Sequence, residues 1–269
     1  MSDFEKEYYE NEEFWEGEML QDPANKLRIK FTSDYIPSDV TSLADIGCGN
    51  GIFVNYLKVN KSNLDILAVD RSIAALKFVQ TNKIHGDIND IPLNDMSYDC
   101  ISCLEVIEHL PVAVYKGALK ELARISKKYL IISVPYNENL EAEHTQCPSC
   151  KAIFNKDLHM RSYNDNMIIN LMNEFGFKCE KTQKLGEMIN YKWHYIFRKI
   201  FYRNQFKEWK SPICPVCGYG KKNEIVGSEG VESATGRRSL ISYFTILPKL
   251  IWPKEKKYYW IIALYKKVE

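Results

Sequence analysis

The sequence has almost no net charge: 36 basic against 35 acidic side chains leave +1 over 269 residues. That excludes a polycation built for nucleic acid, because phosphate binding needs a surplus of Lys and Arg. No uninterrupted apolar run reaches about 18 residues, the length a helix needs to span a bilayer. No basic stretch followed by an apolar one opens the chain, so no secretory signal is expected and the protein reads as cytoplasmic. Internal repeats and low-complexity tracts are lacking as well. What is present is the composition of a folded protein: 45% hydrophobic, 26% charged and 13% aromatic, with 17 Tyr. Such a chain can bury one large core or two modest ones. Its charge is unevenly spread. MSDFEKEYYENEEFWEGE carries eight acidic residues and one Lys, whereas beyond residue 180 Lys and Arg outnumber Glu.

Residues 41–135 alternate between short apolar runs and helix-like segments. TSLADIG reads as a strand, CGNG as a turn and IFVNYLKV as a helix. LDILAVD, KIHGDI, YDCISCLEVI and YLIISVP read as further strands, with helices SIAALKFVQTN and EHLPVAVYKGALKELARIS between them. This βαβαβ order calls for a parallel sheet with right-handed crossovers, and its doubly apolar strands for helices on both faces. NDNMIINLMNEFGF (164–177) reads as one more helix ending at Gly176. FKCEKTQKL and KYYWIIALYKK read as the last two strands.

The turn Asp45-Ile-Gly47-Cys-Gly49-Asn-Gly51 follows a strand and opens a helix. Glycines there let the backbone approach a ligand, and the helix N-terminus favours a carboxylate or phosphate. A dinucleotide fingerprint needs a third Gly three residues after Gly49, and Ile52 stands there instead. Asp70 ends the second strand 19 residues beyond Gly51, where its carboxylate can accept hydrogen bonds from both hydroxyls of a ribose. Asp87, in HGDI, ends the third strand within reach of an adenine amino group.

DIGCGNG, AVD, GDINDIP and YDCISCLEVIEHLP, in this order, resemble the class I S-adenosylmethionine-dependent methyltransferases over about residues 40–185 and the final strand. The resemblance implies an α/β, Rossmann-like seven-stranded sheet with a reversed last strand and S-adenosylmethionine lying across the strand ends. Gly47 and Gly49 would flank the methionyl part, Asp70 the ribose, and Asp87 with Ile88 the adenine, with Asp45, Gly51 and Arg71 also in the cofactor-binding set. Leu104 and Glu105 would pass near the sulfonium.

EVIEHL and the later His159-Met-Arg161-Ser-Tyr163 resemble small-molecule members acting in quinone, sugar and cell-surface polysaccharide pathways. This makes His109 and His159 the candidates for a base or an acceptor-positioning group, and the expected acceptor a small, sugar- or lipid-linked molecule. A second resemblance is to metal-dependent 2′-O-methyltransferases of RNA 3′ ends. It implies a divalent cation held by Glu105, Glu108 and His109 on one helix face, with His144 or His159 as the fourth ligand. The absence of a nucleic-acid module and the scattered basic residues count against that reading. A third reading is a non-enzymatic binding module on the same fold.

Two Cys-x-x-Cys pairs stand far apart: CPSC at 147–150 and CPVC at 214–217. Thiols in a reducing compartment act as ligands more than as disulfides, and two such pairs complete a tetrahedral Zn²⁺ shell with no open position. Cys147, Cys150, Cys214 and Cys217 are thus expected to hold a structural Zn²⁺ joining the loop after the fifth strand to an insertion. His144 with Cys147 and Cys150 is another arrangement. Cys48, Cys100, Cys103 and Cys179 read as small buried side chains. SLISYFTILPKLIWPKEKKYYW, late in the insertion, could form a peripheral membrane contact or a lid. The expected organisation is N-terminal cap helices at 1–40, the methyltransferase core at 41–185, the insertion at 186–255 and the final core strand at 256–269.

Overall fold

A computed structural model describes residues 9–16, 23–191, 214–219 and 253–268. The elements begin with α1 (Glu12–Glu16), α2 (Pro23–Asp34), β1 (Ser42–Ile46), α3 (Ile52–Asn60), β2 (Asp65–Asp70), α4 (Ile73–Leu76) and β3 (Asn82–His85). They continue with β4 (Tyr98–Leu104), α5 (Val112–Ile125), β5 (Ser126–Pro135), β6 (His144–Gln146) and β7 (Ile153–Asn155). Last come α6 (Asp165–Asn170), β8 (Phe177–Tyr191) and β9 (Lys254–Lys267).

Side chains on a strand point alternately to opposite faces, and here both faces are dry. Leu130, Ile132 and Val134 of β5 pack with Ile261, Ala263 and Tyr265 of β9 against Leu119 and Leu122 of α5 and Ile168 of α6. On the other face Ile131 packs with Ile262 and Leu264 against Ile29 of α2 and Phe53 and Leu57 of α3. Burial on both faces explains the unbroken apolar runs read in the sequence.

The seven strands lie in the order β3-β2-β1-β4-β5-β9-β8. β1 to β5 pair in parallel, while β9 runs antiparallel to both β5 and β8. This is the α/β sheet with a reversed final strand that the sequence implies. β8 and β9 stay paired as far as Tyr191 and Lys254, well past the last β5 pairing at Pro135 and Trp260, so a two-stranded arm extends beyond the sheet.

Three helices are shorter than the sequence pattern predicts. α4 stops at Leu76 because tertiary contacts capture the chain beyond it: the Asn55 amide donates to Phe78 O (3.0 Å) and accepts from Gln80 N (2.8 Å). The 164–177 segment splits into α6 and a 3₁₀ turn, Asn173–Phe175, before Gly176. α5 begins only after Pro111, which leaves EHL outside it. A residue preceding proline is disfavoured in the α region, so the break falls where backbone sterics put it. Among the described residues no helix is long and apolar enough to cross a membrane. Residues 239–252 of the interfacial stretch lie outside the described residues.

Candidate functional site

Parallel strands deliver their carboxyl ends to one rim, and the chain places its polar groups there. At the end of β1, Gly47 has φ +75° and its N–H donates to Val69 O at 2.8 Å. A Cβ on Gly47 would lie 2.5 Å from Val106, so no other residue fits. Gly49, at φ +53°, donates its N–H to Asp70 Oδ2 at 2.8 Å, while Ser72 N donates to Oδ1 at 2.8 Å. Each carboxylate oxygen of Asp70 therefore accepts at least one backbone bond, and the Arg71 backbone adds to this. Burial pushes the Asp70 carboxyl up, and those two amides oppose the shift.

The N-terminal segment lies across this turn. Trp15 sits over Gly49, where a Cβ would come within 2.8 Å of its ring. Asn50 donates to Trp15 O (2.9 Å), and the Ser72 hydroxyl donates to Tyr9 O (2.6 Å). Arg71 stacks on the Tyr9 ring at 5.1 Å. Glu10 accepts from the N–H groups of Ile73 and Ala74, each at 3.2 Å, and Lys77 pairs with Glu12. Tyr8, also expected in this cap, lies outside the described residues.

Asp45 is buried on β1, and Ser102 Oγ donates to it at 2.6 Å. Gly51 starts α3 in the left-handed region. Asp87 is exposed and accepts from Asn89 N at 2.9 Å, in a tight turn just past β3. Ile88 packs against the α5-side core and Leu104 against the α3-side core.

Glu105, left-handed at φ +59°, follows β4 directly and accepts from Ser133 Oγ at 2.6 Å. Arg28 of α2 approaches it to 3.9 Å and lies over the Trp260 ring. Residues 105–109 form a bend and turn, so the helix face expected for Glu105, Glu108 and His109 is not formed; Pro111 delays the helix. A cluster does arise, from different residues. Glu108, His109 and His159 bring their ligand atoms within 4.8 Å of one another, and neither Glu105 nor His144 belongs to it. Glu108 is fully buried, and among the described residues neither of its carboxylate oxygens has a hydrogen-bond partner. Burial, with Glu105 adding, pushes its carboxyl well up. Burial also pushes His109 down to about 3, with neighbouring His159 adding, so its ring is neutral. The two imidazoles meet edge to face at 4.8 Å, and His159 Nδ1 lies 2.6 Å from Glu138 Oε2. Met160 N–H donates to Glu108 O at 2.9 Å and Arg161 to Ile107 O at 2.6 Å, pinning the His159 segment to the turn after β4.

The four distant cysteines meet. Cys147 and Cys217 place their Sγ atoms 3.7 Å apart, as do Cys150 and Cys214. All four sulfurs lie within 4.8 Å of one another, and His144 stands apart in β6. The two knuckles share one backbone pattern. Cys147 N bonds Ala152 O as Cys214 N bonds Tyr219 O, and Lys151 N bonds Cys147 O as Gly218 N bonds Cys214 O. Lys151 and Gly218 are both left-handed, at φ +62° and +69°. Cys48, Cys100 and Cys103 are buried and Cys179 is half-buried.

Sequence reasoning missed Glu138, Ser133, Arg28 and Asn155. Glu138 carried a faint signal, an acidic residue just past a strand's carboxyl end; the others carried none. An open hollow of about 750 Å³ lined by Tyr35, Tyr129 and Lys181 lies at the opposite end of the strands, away from these groups.

Comparison with known proteins adds four findings. The methyltransferase-domain family matches residues 20–182. An uncharacterized protein of Methanocaldococcus jannaschii is 28% identical over 174 residues, 59% of this chain and 72% of that protein. A ubiquinone biosynthesis O-methyltransferase of Rickettsia bellii is 29% identical over 130 residues, 44% of this chain; the match spans only 53% of that relative's length. In fold, the chain is similar to a crystal structure from Thermotoga maritima described as an S-adenosylmethionine-dependent methyltransferase, possibly acting on histamine, with TM-score 0.54, 18% identity and coverage of 98% and 99%.

One consequence of this rim concerns stability. Burial pushes the Asp45 carboxyl up to about 7, against an ordinary value near 3.8. The folded chain therefore keeps a proton that the unfolded chain loses, and stability falls as pH rises between those values, by at most about 1.4 kcal/mol per pH unit. Asp45→Asn should flatten this part of the profile, measured as urea unfolding midpoints across that range. Parallel profiles for the two proteins would refute the assignment.

Proposed function

The chain belongs to the methyltransferase-domain family, and on that premise we propose that it methylates an oxygen of a small-molecule acceptor from a sugar, polysaccharide or lipid pathway, using S-adenosylmethionine. The observation that carries the cofactor reading is the Asp70 carboxylate, fixed by two backbone amides beside the left-handed Gly47 and Gly49. Its two oxygens suit the two ribose hydroxyls. Asp45 and Gly51 would complete the floor of the cofactor site, Arg71 would stand beside Asp70, and Asp87 and Ile88 would flank the adenine. Leu104 and Glu105 stand at the methyl-bearing end.

S-adenosylmethionine supplies an electrophilic methyl group on a positively charged sulfur. The chain's part is to hold the acceptor oxygen in line with the breaking C–S bond and to take the hydroxyl proton as the O–C bond forms. His159 is the proposed base. His109, neutral and edge-on to it, helps to set the acceptor's position. Oxygen as the acceptor atom is supported by the O-methyltransferase relative.

The four thiols fit a structural Zn²⁺. Sulfurs at the vertices of a tetrahedron about 2.3 Å from its centre lie about 3.8 Å apart, close to the 3.7 Å of both cross-pairs and far too long for a disulfide. The ion would tie the loop after β5 to the insertion between β8 and β9.

A second reading is favoured by Glu108. An ionised carboxylate buried without a partner costs several kcal/mol, so this group is either protonated or neutralised by a cation. A divalent ion between Glu108, His109 and His159 would make the acceptor reaction metal-dependent, as in methylation of a terminal ribose.

Four outcomes follow. Asp70→Ala should weaken S-adenosylmethionine binding roughly 10–100-fold by calorimetry; wild-type protein that fails to bind it would leave only the binding-module reading. Replacing Cys147, Cys150, Cys214 and Cys217 by Ser should remove bound zinc, and unchanged zinc by elemental analysis would sink the brace. In zinc-loaded protein, Mn²⁺ binding seen by electron paramagnetic resonance and lost in Glu108→Gln would establish the second reading. Robust Mn²⁺-dependent methylation of an RNA 3′ end would displace the small-molecule acceptor.

A further inference from the structure

His159 is held from two directions by groups that belong to neither the glycine turn nor the turn after β4. Its Nδ1 lies 2.6 Å from Glu138 Oε2, and the two side chains are 13% and 15% exposed. An ionised carboxylate can only accept, so the imidazole N–H at Nδ1 donates. A neutral imidazole that commits Nδ1–H to a carboxylate presents Nε2 as its bare lone pair, with the ring plane fixed. Asp157 also comes near this pair, but it is exposed and engaged by Lys156.

One buried amide holds both partners. Asn155, 6% exposed, donates from Nδ2 to Glu138 Oε1 and Leu140 O, each at 3.4 Å. Its Oδ1 accepts from the N–H groups of Asp157 (2.9 Å) and His159 (3.3 Å). Asn155 ends β7, opposite His144 on β6, and the short β6–β7 ribbon leads straight into the Cys147–Cys150 knuckle. The backbone is strained beside both partners: Asn137, just before Glu138, has φ +49°, and Leu158, just before His159, has φ +60°. A left-handed leucine is unfavourable and persists only where the surroundings impose it.

From this geometry we infer that Glu138 is a positioning residue that fixes the tautomer and orientation of His159, and that Asn155 transmits the register of the cysteine-braced ribbon to that pair. The inference rests on the reading that His159 faces the acceptor. It deepens that reading by naming what makes His159 a competent acceptor of a proton: the bare Nε2, with the proton kept on Nδ1 against Glu138. It also gives the distant brace a catalytic consequence, since a ribbon free to shift would carry Asn155, and with it both ends of the dyad, out of alignment.

The test is long-range ¹H–¹⁵N imidazole spectroscopy on full-length, zinc-loaded protein at about pH 8, above the ordinary His range, with His159 assigned by loss of its signals in His159→Gln. Wild type should show protonated Nδ1 and bare Nε2. In Glu138→Ala the ring should change to the Nε2–H form or an exchanging mixture, and in Asn155→Ala the Nδ1–H signature should weaken. A wild-type ring with its proton on Nε2, or a spectrum untouched by Glu138→Ala, overturns the inference. An Nδ1–H signature unaffected by Asn155→Ala overturns the link to the ribbon. If Glu138→Ala does not fold, Glu138→Gln keeps the shape while removing the charge, and the wild-type spectrum decides by itself. Calorimetry with S-adenosylmethionine separates this from the parent reading: wild-type protein that does not bind it fails as a methyltransferase whatever the tautomer, whereas Glu138→Ala should bind it as wild type does.

Discussion

The antiparallel ladders that seat β9 between β5 and β8 are the interaction on which the remaining architecture depends. β9 contributes Ile261 to Tyr265, all buried and alternating between the two cores, so neither face of the sheet closes without it. Because β8 and β9 are adjacent strands separated by the chain between Tyr191 and Lys254, everything in that excursion is anchored at both ends to one edge of the sheet. The meeting of Cys214 and Cys217 with Cys147 and Cys150 brings an interior point of that segment to the loop after β5.

The rim at the strand ends is also where the chain concentrates buried acid. Asp45, Asp70 and Glu108 are all buried there, and Glu105 stands beside Arg28. Desolvation pushes the first three carboxyls up. Such a rim is poised for a cationic group, since a positive charge placed among these carboxyls relieves the cost of burying them. A sulfonium fits this logic as well as a metal ion does. Arg28, set between Glu105 and the Trp260 ring, already supplies one such charge and opposes the upward shifts of Asp45 and Glu108.

What the sequence made legible was local in origin. The strands could be read because each is covered on both faces, and the glycine turn because Gly47 and Gly49 need left-handed backbone. Asp70 could be read because its spacing from that turn is set by one helix and one strand. The cysteine meeting was legible too, since two matching Cys-Pro-x-Cys pairs pointed to one cluster. Helix lengths were not, because Asn55 and Pro111 act across or against the periodicity. Glu138 and Asn155 escaped for a similar reason. Their contacts reach 21 and 17 residues along the chain and form only when the ribbon folds back on the strand end.

The segment from Tyr9 to Trp15 covers part of the rim that the sheet alone would leave bare. Trp15 rests on Gly49, and the carbonyls of Trp15 and Tyr9 are held by Asn50 and Ser72. Whatever uses the glycine turn as its floor shares that floor with an indole ring.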